Sequence, residues 1–336
     1  MDYIGSKAKL DMWILSRINK HFKREIRGKK TLFDVCSGTG IISRYATQCG
    51  YNVIANDIQS FAYHIAKGSL SMSKNRSAKA ESHIKTMNRL QGINGFFYKN
   101  YSENSGRLYF TDQNARKIDA CRKYIENIND DKIKSYLIYC GLEAMSRVSN
   151  TTGVQAAYLK KYKKRAKNEY MLKKEPCMYA KSAKFFNEDI LELIKSDAFR
   201  KKHSEDILYF DPPYNERQYG PNYHLYETFA KYDNPDIKGV TGLRDWKNET
   251  KSIFCSKKGI LDGIFNIVNN TTAKYIYISY SSDGIIRLNE IAEEFFNNVN
   301  GYMRVHKKDQ RRYKSDNNRK NNSKKLDEYL IEIIRC

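Results

Sequence analysis

The sequence predicts an α/β fold: a doubly wound sheet with helices on both faces, interrupted by a long, partly helical insertion. Three observations predict it. A strand–turn–helix–strand unit occupies residues 31–57. A short apolar run, residues 206–210, reads as a buried strand and ends in an acidic, proline-containing loop. A third run, residues 274–280, alternates with the two-residue period of a strand and precedes a helical pattern. Strands that alternate with helical stretches build parallel sheets, and such sheets bind ligands at the carboxyl ends of their strands.

The first unit starts with a strand over residues 31–35. Ser37-Gly38-Thr39-Gly40 then makes a tight turn that opens a helix over Ile41–Gln48, with Gly50 as its stop. The next strand, Asn52–Asn56, ends at Asp57, which lies 19 residues after Gly38 and is placed to accept hydrogen bonds from a ribose diol. Ser43 stands where a dinucleotide fingerprint would carry its third glycine. Asp34, just before the turn, is poorly placed beside a pyrophosphate and well placed beside a cationic amino group. The combination favours S-adenosylmethionine over a nicotinamide cofactor.

Residues 66–181 separate this unit from the next strand and read as an insertion. Ile118, Cys121, Ile125 and Ile128 share one helical face, as do Ile133, Leu137, Cys140, Ala144 and Val148. Both stripes read as core, and Asp112 is a candidate cap for the first helix. Residues 69–109 are polar and basic, with aromatics at Phe96, Phe97, Tyr98 and Tyr101. Lys160, Lys161, Lys163, Lys164 and Arg165 begin a dense basic run suited to phosphate contact.

Asp211-Pro212-Pro213-Tyr214 follows the strand at residues 206–210. Its chemistry suits methylation of an amine on a planar base. Such a nitrogen has its lone pair delocalised into the ring and is a poor nucleophile. The Asp211 carboxylate and a neighbouring backbone carbonyl could hold its two protons and draw it towards a tetrahedral shape. The prolines fix φ and remove competing backbone donors, and Tyr214 offers a stacking face. Residues 215–235 are aromatic and polar and should border the pocket. After the strand at 274–280 come a turn at 281–284, a helix over 288–297, and two strands at 303–306 and 328–334. The connection between those strands carries Arg311, Arg312 and Lys314 and reads as a segment that orders on binding.

Composition narrows the partner. Lys and Arg number 60 against 38 Asp and Glu, a formal charge of +22, which suits a polyanion. No run approaches the roughly 20 apolar residues of a membrane span. Lys7 and Lys9 sit in an amino terminus without an apolar signal core, which points to the cytoplasm. Seven cysteines and six histidines are scattered, with no Cys-x-x-Cys pair, so neither a disulfide framework nor a metal site is expected. Ring methylation of cytosine needs a cysteine after proline in a strand-end loop; Pro176-Cys177 lacks the preceding strand.

With these motifs in place, the chain resembles the Dam-like class of adenine-N6 DNA methyltransferases, and within it the bacterial restriction–modification methylases. Tyr3-Ile4-Gly5-Ser6-Lys7 resembles the family's amino-terminal cofactor motif. Phe33-Asp34-Val35-Cys36-Ser37-Gly38-Thr39-Gly40 resembles its glycine motif, Asn187-Glu188-Asp189-Ile190 the segment that meets the cofactor adenine, and Asp211–Tyr214 the catalytic motif. Residues 114–161, 223–244 and 311–315 also resemble stretches of that subset.

The resemblance implies a mixed seven-stranded, Rossmann-like sheet whose final strand is antiparallel. It implies a catalytic domain formed by residues 1–65 and 182–336, with 66–181 as a target-recognition subdomain. It implies S-adenosylmethionine held by Tyr3, Lys7, Asp34, Ser37, Gly38, Gly40, Asp57, Ile58, Asp189 and Ile190, with either Lys7 or Lys9 reaching the cofactor or the catalytic loop. Asp211, Pro212, Pro213 and Tyr214 would carry catalysis on an adenine flipped from duplex DNA. The named basic residues would contact phosphates, in a nucleoid-associated bacterial protein whose possible partner is a restriction endonuclease acting on the same site. Two alternatives stay open: an RNA amino-methyltransferase, and an inactive protein that binds cofactor and DNA.

Overall fold

A computed structural model describes residues 7, 9–202, 205–311 and 325–336. Seven strands form one sheet: β1 (Thr31–Asp34), β2 (Asn52–Asn56), β3 (Ala183–Phe186), β4 (Ile207–Phe210), β5 (Tyr275–Ser281), β6 (Gly301–Arg311) and β7 (Lys325–Arg335). Their order is β3-β2-β1-β4-β5-β7-β6. The first five are mutually parallel, and β7 runs antiparallel to both β5 and β6. The expected mixed seven-stranded sheet with an antiparallel final strand is therefore present. Its order reverses between β1 and β4, and such a switch point opens a crevice beyond the strand ends.

Side chains alternate between two faces, as the strand period requires. Phe33, Leu208, Phe210, Ile276 and Ile278 face one layer and pack with the helices Lys257–Asn270 and Leu288–Asn298. Leu32, Val53, Ile207, Tyr209 and Tyr277 face the other, where α1 (Asp11–Ile18), α2 (Ile41–Gln48) and α3 (Ser60–Leu70) cover them. Full burial of such a side chain contributes about 1.5–3 kcal/mol relative to exposure.

The inserted stretch is helical: α4 (Lys74–Arg89), α5 (Phe96–Tyr101), α6 (Asp112–Glu126) and α7 (Asp131–Val148). The two apolar stripes read from the sequence are the buried faces of α6 and α7, except that Ile128 lies past the end of α6 and is only partly buried. The cap of α6 differs from expectation. Thr111 accepts the Asn114 N–H at 3.2 Å, whereas Asp112 lies inside the first turn and accepts from Ser102 Oγ (2.6 Å) and the Asn104 N–H (2.9 Å). The threonine is one residue nearer the extended backbone that a capping hydroxyl needs.

The seam predicted at Ala66 falls within α3, whose core is continuous with the insertion: Phe61, Ala62 and Ile65 share a cluster with α6 and α7. Gly68 lets the backbones of α3 and α7 meet, since a Cβ there would lie 2.7 Å from Tyr136 Cα. Tyr223, Tyr226 and Phe229 join the same cluster from the helix His224–Lys231 and the residue before it. Most aromatics after the catalytic loop are thus packed in the helical lobe, not arrayed around a pocket, because this amphipathic helix turns them onto α3 and α7. Tyr219 is the exception.

The last two strands are longer than the sequence suggested. Lys307–Arg311 is polar and reads as loop, but it pairs with residues 325–329 in a ribbon that prolongs β6 and β7. The ribbon carries a cross-strand Lys307–Asp327 ion pair at 2.8 Å. Arg311 therefore belongs to a strand, whereas Arg312 and Lys314 lie outside the described residues. No described helix is long and apolar enough to cross a membrane.

Candidate active site

A cleft of about 970 Å³, counted with the solvent at its open mouth, lies beyond the carboxyl ends of β1, β2 and β4. Its floor is the turn after β1. Gly38 and Gly40 take positive φ values of 49° and 66°, which favours glycine at both. The turn is tied to β2 by Ser37 N–H donating to Asn56 O (2.9 Å) and Gly38 N–H donating to Asp57 Oδ2 (2.8 Å). Asp57 Oδ1 accepts the Gln59 N–H at 2.9 Å. Burial pushes the Asp57 carboxyl up to about 6, against the pull of those N–H groups.

Asp34, at the end of β1, is 1% exposed. Its Oδ2 accepts both the N–H (3.2 Å) and the hydroxyl (2.6 Å) of Ser43. The residue that breaks the dinucleotide fingerprint is therefore the partner of the acid that made a sulfonium cofactor preferable. Burial raises the Asp34 carboxyl to about 7, and Asp211 and Asp57 add to the rise while Ser43 opposes it.

Asp189 follows β3. It caps the short helix Ile190–Leu193 by accepting the Leu191 N–H at 2.8 Å, and both Asp189 and Ile190 line the cleft with Ile58. Two asparagines that sequence reasoning missed set these strand ends side by side. Asn56 donates to Val35 O (3.2 Å) and Glu188 O (3.1 Å), and Asn187 donates to Asp57 O (2.8 Å) and Ile58 O (3.1 Å).

The proline loop after β4 enters the same cleft from the other side of the switch point, bringing Asp211 and Pro213 to its wall. Lys7 Nζ sits 2.8 Å from Asp211 Oδ1, with side-chain exposures of 6% and 18%. Of the two lysines, Lys7 lines the cleft and Lys9 is exposed. Burial raises the Asp211 carboxyl and Lys7 opposes the rise. Pro212 is buried behind the loop. Tyr214 does not line the cleft: its ring lies edge-on to Tyr280 at 6.1 Å, with Lys7 Nζ 5.5 Å from its centroid. Its carbonyl accepts the Ile285 N–H at 2.9 Å, which ties the loop to the turn after β5. Tyr3 lies outside the described residues.

Polar atoms in this cleft await partners. Ser37 Oγ and both ends of the Gln59 amide are buried without a hydrogen bond among the described residues. Buried amides left unpaired are costly, so a polar ligand fits here. The wall also carries Asp34, Asp57, Asp189 and Asp211 against the single lysine Lys7. This donor set suits a cationic ligand that carries a ribose, an adenine and an amino-acid head, which are the parts of S-adenosylmethionine. Among the described residues no group of side chains could hold a metal ion.

The basic residues of the insertion are divided. Lys160, Lys161, Lys164 and Arg165 are exposed near a short turn at Lys164–Lys167. Lys163 is drawn inward: its ammonium donates to Thr151 O and its N–H to Asn150 Oδ1 (3.1 Å). Phe97 and Tyr101 are core residues of the helical lobe and offer no face to a base.

Comparison with known proteins agrees with this geometry. Residues 3–294 match the family model of D12 class N6 adenine-specific DNA methyltransferases. The chain is 33% identical to the type II methyltransferase M.NlaIII of Neisseria lactamica, over 98% of both proteins. It is 34% identical to the modification methylase StsI of Streptococcus sanguinis and 34% identical to the type II methyltransferase M.FokI of Planomicrobium okeanokoites. Those matches cover 100% and 99% of this chain but only 52% of each relative, so the chain spans about half their length.

Proposed function

The chain belongs to the D12 class of N6 adenine-specific DNA methyltransferases, and we propose that Asp211, paired with Lys7 at the mouth of the cofactor cleft, is the residue that holds the target amine. The reaction is methyl transfer from S-adenosylmethionine to the exocyclic nitrogen of adenine in DNA. The relatives named as modification methylases support a role in restriction–modification, with a cognate endonuclease as the partner.

When bound, S-adenosylmethionine supplies the electrophilic methyl group and the sulfonium leaving group. Asp34 accepts the amino group of its methionine head, Asp57 the ribose hydroxyls and Asp189 the adenine, with Ile58 and Ile190 against the ring. Ser37 Oγ and the Gln59 amide gain the partners they lack.

Lys7 pairs with Asp211 Oδ1, and Oδ2 is assigned to accept one proton of the amine. The Pro212 carbonyl accepts the other, by likeness to the family. Held by two acceptors, the nitrogen is turned with its lone pair towards the methyl group. Catalysis is then positioning and electrostatics with no covalent enzyme intermediate. Tyr214 stacks on the base, which must leave the helix to reach the cleft; extrusion costs a few kcal/mol. Residues 66–181 form the recognition lobe, and Lys160, Lys161, Lys164, Arg165 and the strand end at Arg311, with Arg312 and Lys314 beyond it, meet phosphates. Lys163 supports its loop.

The observation that carries this reading is the convergence of Asp211, Asp34, Asp57 and Asp189 on one cleft at the switch point of the sheet. The test is transfer of labelled methyl from S-adenosylmethionine to unmethylated bacterial DNA and, in parallel, to RNA, with the product nucleoside identified. N6-methyladenine in DNA alone, lost in Asp211→Ala with cofactor binding retained, supports it. Label in RNA alone, or an active Asp211→Ala variant, overturns it.

A further inference from the structure

We propose that Gln218 is a positioning residue for methyl transfer: its carboxamide clamps residues 250–254, a wall of the cofactor cleft, to the loop that carries Asp211, so that cofactor and target amine are held in a fixed relation. The inference rests on the roles given above to the cleft and to Asp211.

Thr250, Ser252, Ile253 and Phe254 line the cleft together with Asp211 and Pro213. They come from a stretch that no strand fixes. The one-turn helix Trp246–Glu249 precedes it, and the short turn Ile253–Cys255 ends it. Ser252 between them is extended, with φ −91° and ψ 131°. Its backbone donor and acceptor both need partners, and Gln218 supplies them. Gln218 Nε2 donates to Ser252 O at 2.9 Å, and Gln218 Oε1 accepts the Ser252 N–H at 2.9 Å. A carboxamide carries a donor and an acceptor side by side, so this one side chain takes the place of a neighbouring strand.

Other contacts bring the same two stretches together. Cys255 Sγ lies 3.5 Å from Arg217 O. Gly220 approaches so closely that a Cβ there would fall 2.7 Å from Trp246 Cβ and 2.8 Å from Thr250 Oγ1. The Phe254 ring meets that of Phe210, the residue before Asp211, at 5.1 Å. Ile253 points to what this wall receives. It is a large apolar residue of the cleft lining, yet it is 45% exposed, and a ligand seated in the cleft would cover it.

Transfer needs the reacting atoms about 3–3.5 Å apart, and a misplacement of about 1 Å can cost about a hundredfold in rate. A wall that touches the cofactor and is bonded to the loop that holds the amine sets that separation. Gln218 makes and breaks no covalent bond and acts through Ser252.

The test compares wild type, Gln218→Met, Gln218→Glu and Asp211→Asn at pH 8. Two quantities are read: affinity for S-adenosylhomocysteine by calorimetry, and the single-turnover rate on unmethylated bacterial genomic DNA at saturating S-adenosylmethionine and DNA. Methionine keeps the length of glutamine and removes both hydrogen bonds, so a purely space-filling role would leave that variant unimpaired. Gln218→Met should bind S-adenosylhomocysteine about 5- to 50-fold more weakly and transfer methyl at least about tenfold more slowly at saturation, with a cooperative unfolding transition retained. Gln218→Glu should be impaired at least as much, since its carboxylate sets a second oxygen against Ser252 O. A Gln218→Met protein with wild-type affinity, or with weakened affinity but the wild-type rate at saturation, overturns the inference. Should that variant not fold, a Gln218→Glu protein with wild-type affinity and rate overturns it. An active Asp211→Asn would instead remove the reading on which it rests, whereas an inactive Asp211→Asn beside an unaffected Gln218→Met removes this inference alone.

Discussion

Lys7 Nζ and Asp211 Oδ1 lie 2.8 Å apart, although more than two hundred positions separate them in the chain. The amino-terminal segment thus supplies the counter-ion of the proposed catalytic acid. Burial favours the protonated form of Asp211, and Lys7 is the chief influence against it. Lys7→Met should raise the Asp211 carboxyl further and move its ionisation to higher pH. The acid must be ionised to accept a proton of the amine, so methyl transfer should fall at least tenfold at pH 7 and recover as pH rises. Unchanged pH dependence in the variant would count against this pairing.

Asp34 has a carboxyl raised by burial to about 7, and two opposite effects follow. In the apoprotein, an acid raised on folding contributes stability below its unfolded value near 3.8, and that contribution is lost as pH rises through about 7. Asp34→Asn removes the cost of ionisation, so its apo Tm at pH 8 should exceed that of wild type by at least about 2 °C. The same variant loses a charge-assisted contact to the cofactor amino group, and affinity should fall about 10- to 100-fold. Wild-type affinity should itself weaken as pH falls below 7. Calorimetry on both proteins checks both signs, and unaltered cofactor affinity would sink the assigned role.

Gln59 is 2% exposed, and both ends of its amide lack a hydrogen bond among the described residues. Gln59→Leu deletes a buried polar group of similar length, so the apoprotein should be as stable as wild type or more so. Cofactor affinity should drop about fivefold or more, since a net hydrogen bond contributes about 1 kcal/mol. A variant that is destabilised yet binds cofactor normally would show that the amide serves the fold.

The Tyr214 ring lies 6.1 Å from that of Tyr280 at 69°, and the role proposed for it is to stack on the base. Base–aromatic stacking contributes about 1–3 kcal/mol. Tyr214→Ala should therefore weaken capture of an extruded base by roughly 5- to 100-fold, with Tyr214→Phe close to wild type. A fluorescent base analogue at the target position reports this directly. Equal fluorescence in the alanine variant and wild type would exclude the stacking role.

Much of this architecture was legible in the sequence because apolar strands bounded by glycine or proline carry their own signal. The turn at Ser37–Gly40, the helix Ile41–Gln48 and the loop at Asp211 are read from neighbours in the chain, and so are their acids. Lys7 could be named but not assigned, since its partner is remote in sequence. Asn56 and Gln59 go unread, and Asn187 is quoted without its bridging role, for the same reason: a polar residue acquires its meaning from the groups that surround it after folding. The polar ends of β6 and β7 read as loop because charged and polar residues dominate there and no two-residue apolar period announces a strand. The aromatics from Tyr223 to Phe229 read as pocket residues because composition alone does not say which way a helix turns.

Glu227 ties two regions together in a way that bears on how such proteins diversify. Its carboxylate accepts the Ser60 and Phe61 N–H groups at 3.1 and 3.2 Å, capping α3, while Gln155 Oε1 accepts the Leu225 and Tyr226 N–H groups at 3.1 and 3.2 Å. The helical lobe is thus a composite of two stretches that interlock across the catalytic loop. Exchange of residues 66–181 alone between relatives would strand Tyr223, Tyr226 and Phe229 against a foreign surface. A viable chimera has to import both stretches at once, so a change of specificity by recombination needs four matched crossovers where a simple cassette would need two.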